Sequence, residues 1–472
     1  MNPPDHTPLL VIGAGPGGYT AAFMAADLKI DVTLVDIKPN PGGICLFEGC
    51  IPTKALLHAV KIIADTKAAQ DIGIEFKELY ADPPKINRFK DDVVKKLTSG
   101  LGQLAKMRQI RYIRGRAEFL NSSSVKISSE DGSGQELSFD QAIIATGSQS
   151  VHLPFEPPSD LILDSTTALN IQEIPKTLLI VGGGYIGLEF ATIYSELGCH
   201  VTVAEMLPQL LPQADHDLVA ILQKRLELNL AGLHTATSVR EIKGTAKGLS
   251  VKLEDKDGNI RNEGYEKILM AVGRKPLTQG LNLEKTSVEL TPNGFIKVND
   301  QRRTSDPKIY AIGDVAGQPM LAHKAAHEAR VAARVIAGQD TAFHPSAIPS
   351  VIYTNPEMAW CGLTETEAKE KSRDIKTLKF PWMASGRAVT LNRTEGLTKL
   401  IVDAQDGKLL GMGIIGESAG EMIAEGLLAM QLGATARDIM HTIHPHPTLS
   451  ETIMEAAEIY LGQSTHIFRR QK

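Results

Sequence analysis

Two of the chain's four cysteines stand in GGICLFEGCIPTK as Cys45-Leu46-Phe47-Glu48-Gly49-Cys50, with Lys54 one helical turn past the second. Three chemistries compete for such a pair. A metal site would want two further ligands at short spacing, and neither Cys199 nor Cys361 lies in such a cluster. Two buried structural thiols would want no partner at all. A disulfide needs its Cα atoms within ~7 Å, whereas residues five apart on a straight helix lie about 8–9 Å apart. For a disulfide the backbone must therefore leave the helix between the cysteines, which Gly42, Gly43 and Gly49 permit. Such a bridge would be small and reducible, and a cation at Lys54 would favour the thiolate that reduction releases.

A second constellation lies near the other end of the chain, in HTIHPHPTLSETIMEAAEIY, where His446 precedes Glu451. A dithiol substrate needs a base to become an attacking thiolate, and histidine is poised for that near neutral pH. A carboxylate that fixes the imidazole's tautomer would complete a His–Glu dyad. HPHP also reads as a rigid turn before a helix capped by Thr448 or Ser450. The motif alone does not choose between the two.

These groups need elements to hold them. TPLLVIGAGPGGYTAAFMAADLKIDVTLVD is an apolar run, a glycine-rich turn, an alanine-rich helix pattern and a β-branched strand ending in Asp36, which makes a βαβ unit with Gly13, Gly15 and Gly18 in G-x-G-x-x-G. KTLLIVGGGYIGLEFATIYSELGCHVTVAE repeats it, with Gly182, Gly184 and Gly187 in the same frame and Glu205 at the matching distance. The first glycine allows the tight turn, the second lets a pyrophosphate approach the backbone, and the third lets helix and strand pack closely. The helix N-terminus offers free N–H groups to the phosphates. Asp36 and Glu205 are expected to accept from ribose hydroxyls. Two such sites imply two dinucleotides, which suits a relay.

Other segments fit around the cassettes. QAIIATGSQS, with Thr146 and Gly147, and KILMAVGRKP, with Gly273 and Arg274, are each a hydrophobic strand ending in a small turn. KIYAIGDVAGQPMLAHKAAHEARVAARVIAG repeats the order strand, turn, helix, with Gly313 and Asp314 at the turn. From about Ile348 short alternating strands (PSVIYT, TKLIVD, KLLGMGIIG) and amphipathic helices (SAGEMIAEGLLAMQLG, TLSETIMEAAEIYLG) suggest an α+β domain.

Composition bounds the setting. The 472 residues are 43% hydrophobic and 22% charged, and 50 basic against 55 acidic residues give a net charge of -5 without long runs of either sign. Neither a nucleic-acid footprint nor a membrane-surface footprint is supported. No stretch approaches ~18 uninterrupted apolar residues, and MNPPDHTPLLVIG lacks the pattern of an export signal. A cytoplasmic location is expected, where so few cysteines are not a structural disulfide framework.

In order and over nearly the whole chain, the paired cassettes, GGICLFEGCIPTK, GGGYIGLEF, IYAIGDVAGQPMLAHKA and HPHPTLSE resemble the flavin-dependent disulfide oxidoreductases. The resemblance implies an α/β fold with two Rossmann-like dinucleotide-binding domains plus a C-terminal α+β dimerisation domain. Residues 1–150 and 276–347 would form the FAD-binding unit, 151–275 the NAD-binding domain and 348–472 the dimerisation domain. FAD would sit on the first cassette and NAD on the second. Cys45 would exchange with substrate sulfur and Cys50 would lie against the flavin. Lys54 would sit near the flavin's reactive edge, paired with Glu189. Gly43, Thr146, Gly147, Ala117, Gly313, Asp314 and Ala322 would help to hold FAD, while Val239 and the turn Ala271-Val272-Gly273-Arg274 would line the NAD site. The resemblance also implies a cis His446–Pro447 peptide and a homodimer in which His446 and Glu451 serve the partner's cysteines. The implied activity is oxidation of protein-bound dihydrolipoamide with NAD, in company with the lipoyl domains and core subunits of 2-oxo acid dehydrogenase complexes.

One pair of residues departs from the family. Phe47-Glu48 stands where Asn-Val is usual, and a carboxylate so near the cysteines should raise the thiol pKa unless it points to solvent. Rival activities differ by feature. A glutathione or mercuric reductase would want NADPH-binding arginines or an added C-terminal cysteine pair. A pyridine-nucleotide transhydrogenase would lack the cysteine pair, and a purely structural subunit would not need the chemistry.

Overall fold

The computed structural model describes residues 5–467 apart from 130, 131 and 247. Leu9, Leu10 and Val11 are wholly buried because the strand Asp5–Ile12 lies inside a sheet covered on both faces, the situation that a continuous apolar run encodes. That seven-stranded sheet runs in the order Arg111–Arg114, Val32–Asp36, Asp5–Ile12, Gly134–Ile144, Ser124–Ser128, Arg116–Asn121, with Ile309–Ala311 also paired to Gly134–Ile144. The late strand is parallel, Ile309 opposite Ala142 and Ala311 opposite Ile144. The helices Pro16–Asp27 and Ala322–Ile336 meet over the sheet through Ala21, Ala22 and Ala25 against Ala329, Ala332 and Ala333, small side chains that let two helix backbones approach.

The second cassette builds a separate parallel sheet in the order Gly232–His234, His200–Ala204, Thr177–Val181, Lys267–Met270, Ile162–Leu163. An antiparallel meander, Ser238–Thr245, Gly248–Glu254 and Ile260–Tyr265, packs Ile242, Leu249 and Val251 onto Leu179 and Val181. The pattern reading did not separate this meander from the rest of the unit. The chain leaves the first sheet and returns to it through a two-stranded ribbon, Ser148–Ser150 against Arg274–Pro276.

The C-terminal sheet is antiparallel, in the order Ser350–Ile352, Glu357–Gly362, Leu409–Gly416, Leu397–Asp403, Ile375–Pro381. Helices Ala419–Leu432 and Glu451–Glu458 pack on it. The second is shorter than TLSETIMEAAEIYLG suggests, because its pattern ends in a 3-10 turn at Ile459–Leu461. Ser450 occupies the cap position without a side-chain bond to the helix backbone, and Glu451 itself accepts from Thr448 N–H at 2.7 Å. Lys399, 1% exposed, ties this sheet to the second unit through Asp215 (2.6 Å) and Asp217 (2.7 Å), and also bonds Glu365 (2.9 Å) of its own unit. Among the described residues these three acids form the only cluster close enough to share a cation, and ammonium groups fill it.

The stretch Gly43–Ile72 is long and apolar enough to cross a membrane by length and composition. Its Leu56, Leu57, Val60 and Ile63 are buried against Leu188 and Phe190.

Candidate functional site

The backbone does leave the helix between the cysteines. The short helix Gly43–Phe47 ends at Glu48, Gly49 adopts φ -146° and ψ -111°, and the helix Cys50–Ala68 begins at the second cysteine. Cys45 and Cys50 come within hydrogen-bonding reach of each other across that break, the placement a reducible pair needs. The two sulfurs are inequivalent. The hydrogen bond from Cys45 most strongly lowers the Cys50 thiol, burial opposes it, and the Lys54 ammonium helps, bringing it to about 7. Cys45, half-buried, is raised above the usual thiol range by its bond to Cys50 and by desolvation. Cys199 and Cys361 are pushed up to about 12 by burial, which suits inert core thiols.

Both reactive cysteines face a cavity of about 430 Å³. Gly13, Gly15, Asp36 and Gly43 line one part of it, Ala117, Thr146 and Gly147 another, and Lys54, Glu189, Gly313, Asp314 and Ala322 the remainder. The glycines divide the work as their spacing suggests. A Cβ on Gly13 would lie 2.4 Å from Ala145 O, and one on Gly18 1.7 Å from Gly13 O, so both are needed for packing within the protein. A Cβ on Gly15 meets nothing nearer than Gly43 Cα at 3.9 Å, which leaves room where a pyrophosphate would lie. Gly43 must itself be glycine, since a Cβ there would come within 2.4 Å of Gly15 Cα. Asp36 accepts from Ala14 N–H at 2.6 Å and Lys38 N–H at 2.8 Å, so it shapes the turn as well as facing the cavity.

Lys54 Nζ donates to both oxygens of Glu189 at 2.9 Å and lies 4.6 Å from the centre of the Tyr353 ring. Burial opposes its charge, but the Glu189 carboxylate raises its pKa above the usual lysine value. The Arg274 side chain reaches this cavity wall, donating to Ser148 Oγ (2.8 Å) and O (2.7 Å), while Ser148 Oγ donates to Asp314 at 2.6 Å. Gly313 N–H donates at 2.6 Å to Glu328, which is fully buried between Arg302 (2.9 Å) and Lys324 (3.0 Å).

At the second cassette a Cβ on Gly182 would lie 2.3 Å from Ala271 O and one on Gly187 2.1 Å from Gly182 O, whereas one on Gly184 meets nothing within 4 Å. The same cradle is thus built twice. Glu205 accepts from Gly183 N–H at 2.5 Å and Leu207 N–H at 2.7 Å. Val239 is half-buried against the meander's core, and Gly273 turns the chain at φ 119°.

His446 Nδ1 lies 2.8 Å from Glu451 Oε1, and the His446–Pro447 peptide is cis. Partial burial pushes Glu451 up, but Thr448 N–H and His446 hold it below the usual carboxylate range. The dyad does not line the cavity of its own chain, and the His446 side chain is 78% exposed.

Ser148, Glu328 and Tyr353 escaped the pattern reading. A signal existed for Glu328: Lys324 and Glu328, four apart on the alanine-rich face of Ala322–Ile336, are charges where the helix pattern demands burial. Ser148 and Tyr353 carry no comparable signal, since both act through neighbours that only the fold supplies.

A cysteine pair at a helix break, in a chain that builds the glycine cradle twice, defines the class. The sequence pattern of the pyridine nucleotide-disulphide oxidoreductases matches residues 7–329, and that of their dimerisation domain matches 348–457. The chain belongs to this family, and FAD and NAD(H) are its cofactors. Its relatives narrow the likeness further. It is 46% identical to a dihydrolipoyl dehydrogenase of Haemophilus influenzae, over 99% of this chain and 98% of that one, and 46% identical to another of Thermus scotoductus, over 98% and 99%. Among solved structures it is similar to LpdA of Mycobacterium tuberculosis (TM-score 0.89, 26% identity, 96% of this chain and 99% of that one) and to the HOCl-induced flavoprotein disulfide reductase RclA of Escherichia coli (0.86, 27%, 96% and 99%).

Proposed function

We propose that the protein oxidises a dihydrolipoyl dithiol to its cyclic disulfide and passes the two electrons to NAD through the Cys45–Cys50 pair. The observation that carries this is the placement of Cys45 and Cys50 on either side of a helix break, lining one cavity with the first glycine cradle and the Lys54–Glu189 pair. In the oxidised protein the two sulfurs are bonded. With Nδ1 on Glu451, His446 has Nε2 free to take the proton of the first substrate thiol. The substrate thiolate attacks Cys45, the Cys45–Cys50 bond breaks, and Cys50 leaves as a thiolate. The second substrate sulfur then attacks the substrate sulfur of the mixed disulfide, the cyclic disulfide departs, and Cys45 leaves with the second thiol's proton. This end state has the proton on Cys45 and the charge on Cys50. Bound FAD supplies the two-electron acceptor between this dithiol and NAD. Lys54 and Glu189 fix the charge around Cys50, and the first cradle, Asp36, Ala117, Thr146, Gly147, Gly313, Asp314 and Ala322 hold FAD, with NAD on the second cradle, Glu205, Val239, Gly273 and Arg274.

The exposed His446 supports a site completed by a second copy, His446 and Glu451 of each chain serving the cysteines of the other. Ile443 (95% exposed), three residues before His446, offers apolar surface for such a symmetric dimer. The domain division 1–150 with 276–347, 151–275 and 348–472 is supported by the late strand Ile309–Ala311 pairing with Gly134–Ile144. The relatives' name supports a role in cytoplasmic 2-oxo acid dehydrogenase complexes, with lipoyl domains and core subunits as partners. The test is NADH formation by the purified protein from dihydrolipoamide and NAD. Turnover is expected; turnover with glutathione disulfide and NADPH but not with dihydrolipoamide would overturn the assignment.

A further inference from the structure

Lys38 follows the first cassette's acid and is fixed at its backbone from two directions: its N–H donates to Asp36 at 2.8 Å, and its carbonyl accepts from the Tyr112 hydroxyl at 2.9 Å. Its ammonium binds the Glu48 carboxylate and lies 5.6 Å from the centre of the Phe47 ring. The two residues that replace the usual Asn-Val thus both engage one cation. Glu48 also closes the helix Gly43–Phe47, its N–H donating to Ile44 O at 2.8 Å, and Lys38 and Glu48 line the same cavity as the cysteines.

We propose that Lys38 is a positioning residue for the cysteine pair: by binding Glu48 it cancels a carboxylate two residues from Cys50 and fixes the chain at the break between the two helices. The inference rests on Cys50 being the thiolate of the reduced pair. A lone carboxylate at position 48 would oppose that thiolate, and a strongly hydrated, unbound side chain there would loosen the turn that sets the sulfurs side by side. The other titratable groups facing the pair are Lys54, Glu189, Tyr185, Tyr19 and Asp314; Lys54 and Glu189 bond each other and Asp314 bonds Ser148, not position 38 or 48.

The test measures Cys50 alkylation by iodoacetamide against pH in the FAD-loaded protein, resolved by peptide mass. A Cys45→Ser background leaves one thiol of the pair and keeps a hydroxyl donor toward it. The parent's inflection is expected below the ordinary thiol value of about 8.5. Lys38→Met should move the inflection upward and slow alkylation at pH 7 by roughly 3- to 10-fold. Lys38→Met with Glu48→Gln should bring it back, and Lys38→Arg should leave it near the parent. If Lys38→Met loses FAD, Lys38→Gln, which keeps a donor without the charge, should give the same upward shift. An unmoved inflection in Lys38→Met or Lys38→Gln, or a double variant as shifted as Lys38→Met, overturns the role of Lys38. A parent that already titrates at the ordinary value overturns instead the assignment of Cys50 as the thiolate, on which the proposal stands.

Discussion

Lys54 reaches across from the helix that opens with Cys50 to the helix that opens at the second cassette, where its Nζ sits 2.9 Å from both oxygens of Glu189. The two residues act on the Cys50 thiol with opposite sign, the ammonium lowering it and the carboxylate raising it. Lys54→Met should therefore slow alkylation of Cys50 at pH 7, and Glu189→Gln should speed it. Peptide-resolved alkylation of the reduced protein checks both; shifts in the same direction would contradict the arrangement.

Cofactor choice should follow Glu205. Its carboxylate is buried and held by Gly183 and Leu207 N–H groups, so it cannot swing away from a 2′-phosphate. Like charges brought together cost several kcal/mol, so kcat/KM should favour NAD over NADP by at least ~10²-fold. Glu205→Ala should narrow that ratio while also raising KM for NAD, because the glycine turn loses its acceptor.

Glu328 is the one carboxylate contacting two buried cations beneath the Gly313 turn. Glu328→Ala would leave Lys324 without its carboxylate and Arg302 with only Asp300 at 4.0 Å, at a cost of about 3–5 kcal/mol in stability. A lower midpoint of chemical denaturation and weaker FAD retention are expected; an unchanged midpoint would mean that the cations find other partners.

The dyad should act across a dimer. Subunits carrying Cys50→Ser and subunits carrying His446→Gln are each expected to be inactive or nearly so, the second by the roughly 10²- to 10⁴-fold that a positioned base contributes. After chain exchange a mixed dimer has one site with both defects and one with neither, so activity should reappear. If exchange is demonstrated and activity stays at the parental level, the base serves its own chain.

How far the sequence alone carried these assignments depended on how local each constraint was. The glycine cassettes were legible because backbone contacts within one βαβ unit fix them, as the would-be Cβ clashes at Gly18 and Gly187 record. The helix break at Gly49 was legible from the geometry that five-residue spacing imposes. The anchoring of Glu48 by Lys38 was not, because it depends on a strand end folding back against the cysteine loop. The same holds for the bond from Arg274 to Ser148, which only the two-stranded ribbon brings about. Ser450 misled as a cap because Glu451, the next residue, takes the Thr448 N–H that the turn offers.

The central claim is that electrons from a dithiol substrate enter through Cys45 and Cys50, and the most direct measurement compares two reactions of one variant, Cys50→Ser in its FAD-loaded form. NADH formation from dihydrolipoamide should fall to background, because no bond remains for the substrate thiolate to open, while NADH oxidation by a one-electron acceptor such as ferricyanide should persist, since both nucleotide cradles are untouched. Dihydrolipoamide turnover near that of the unaltered protein would contradict the claim.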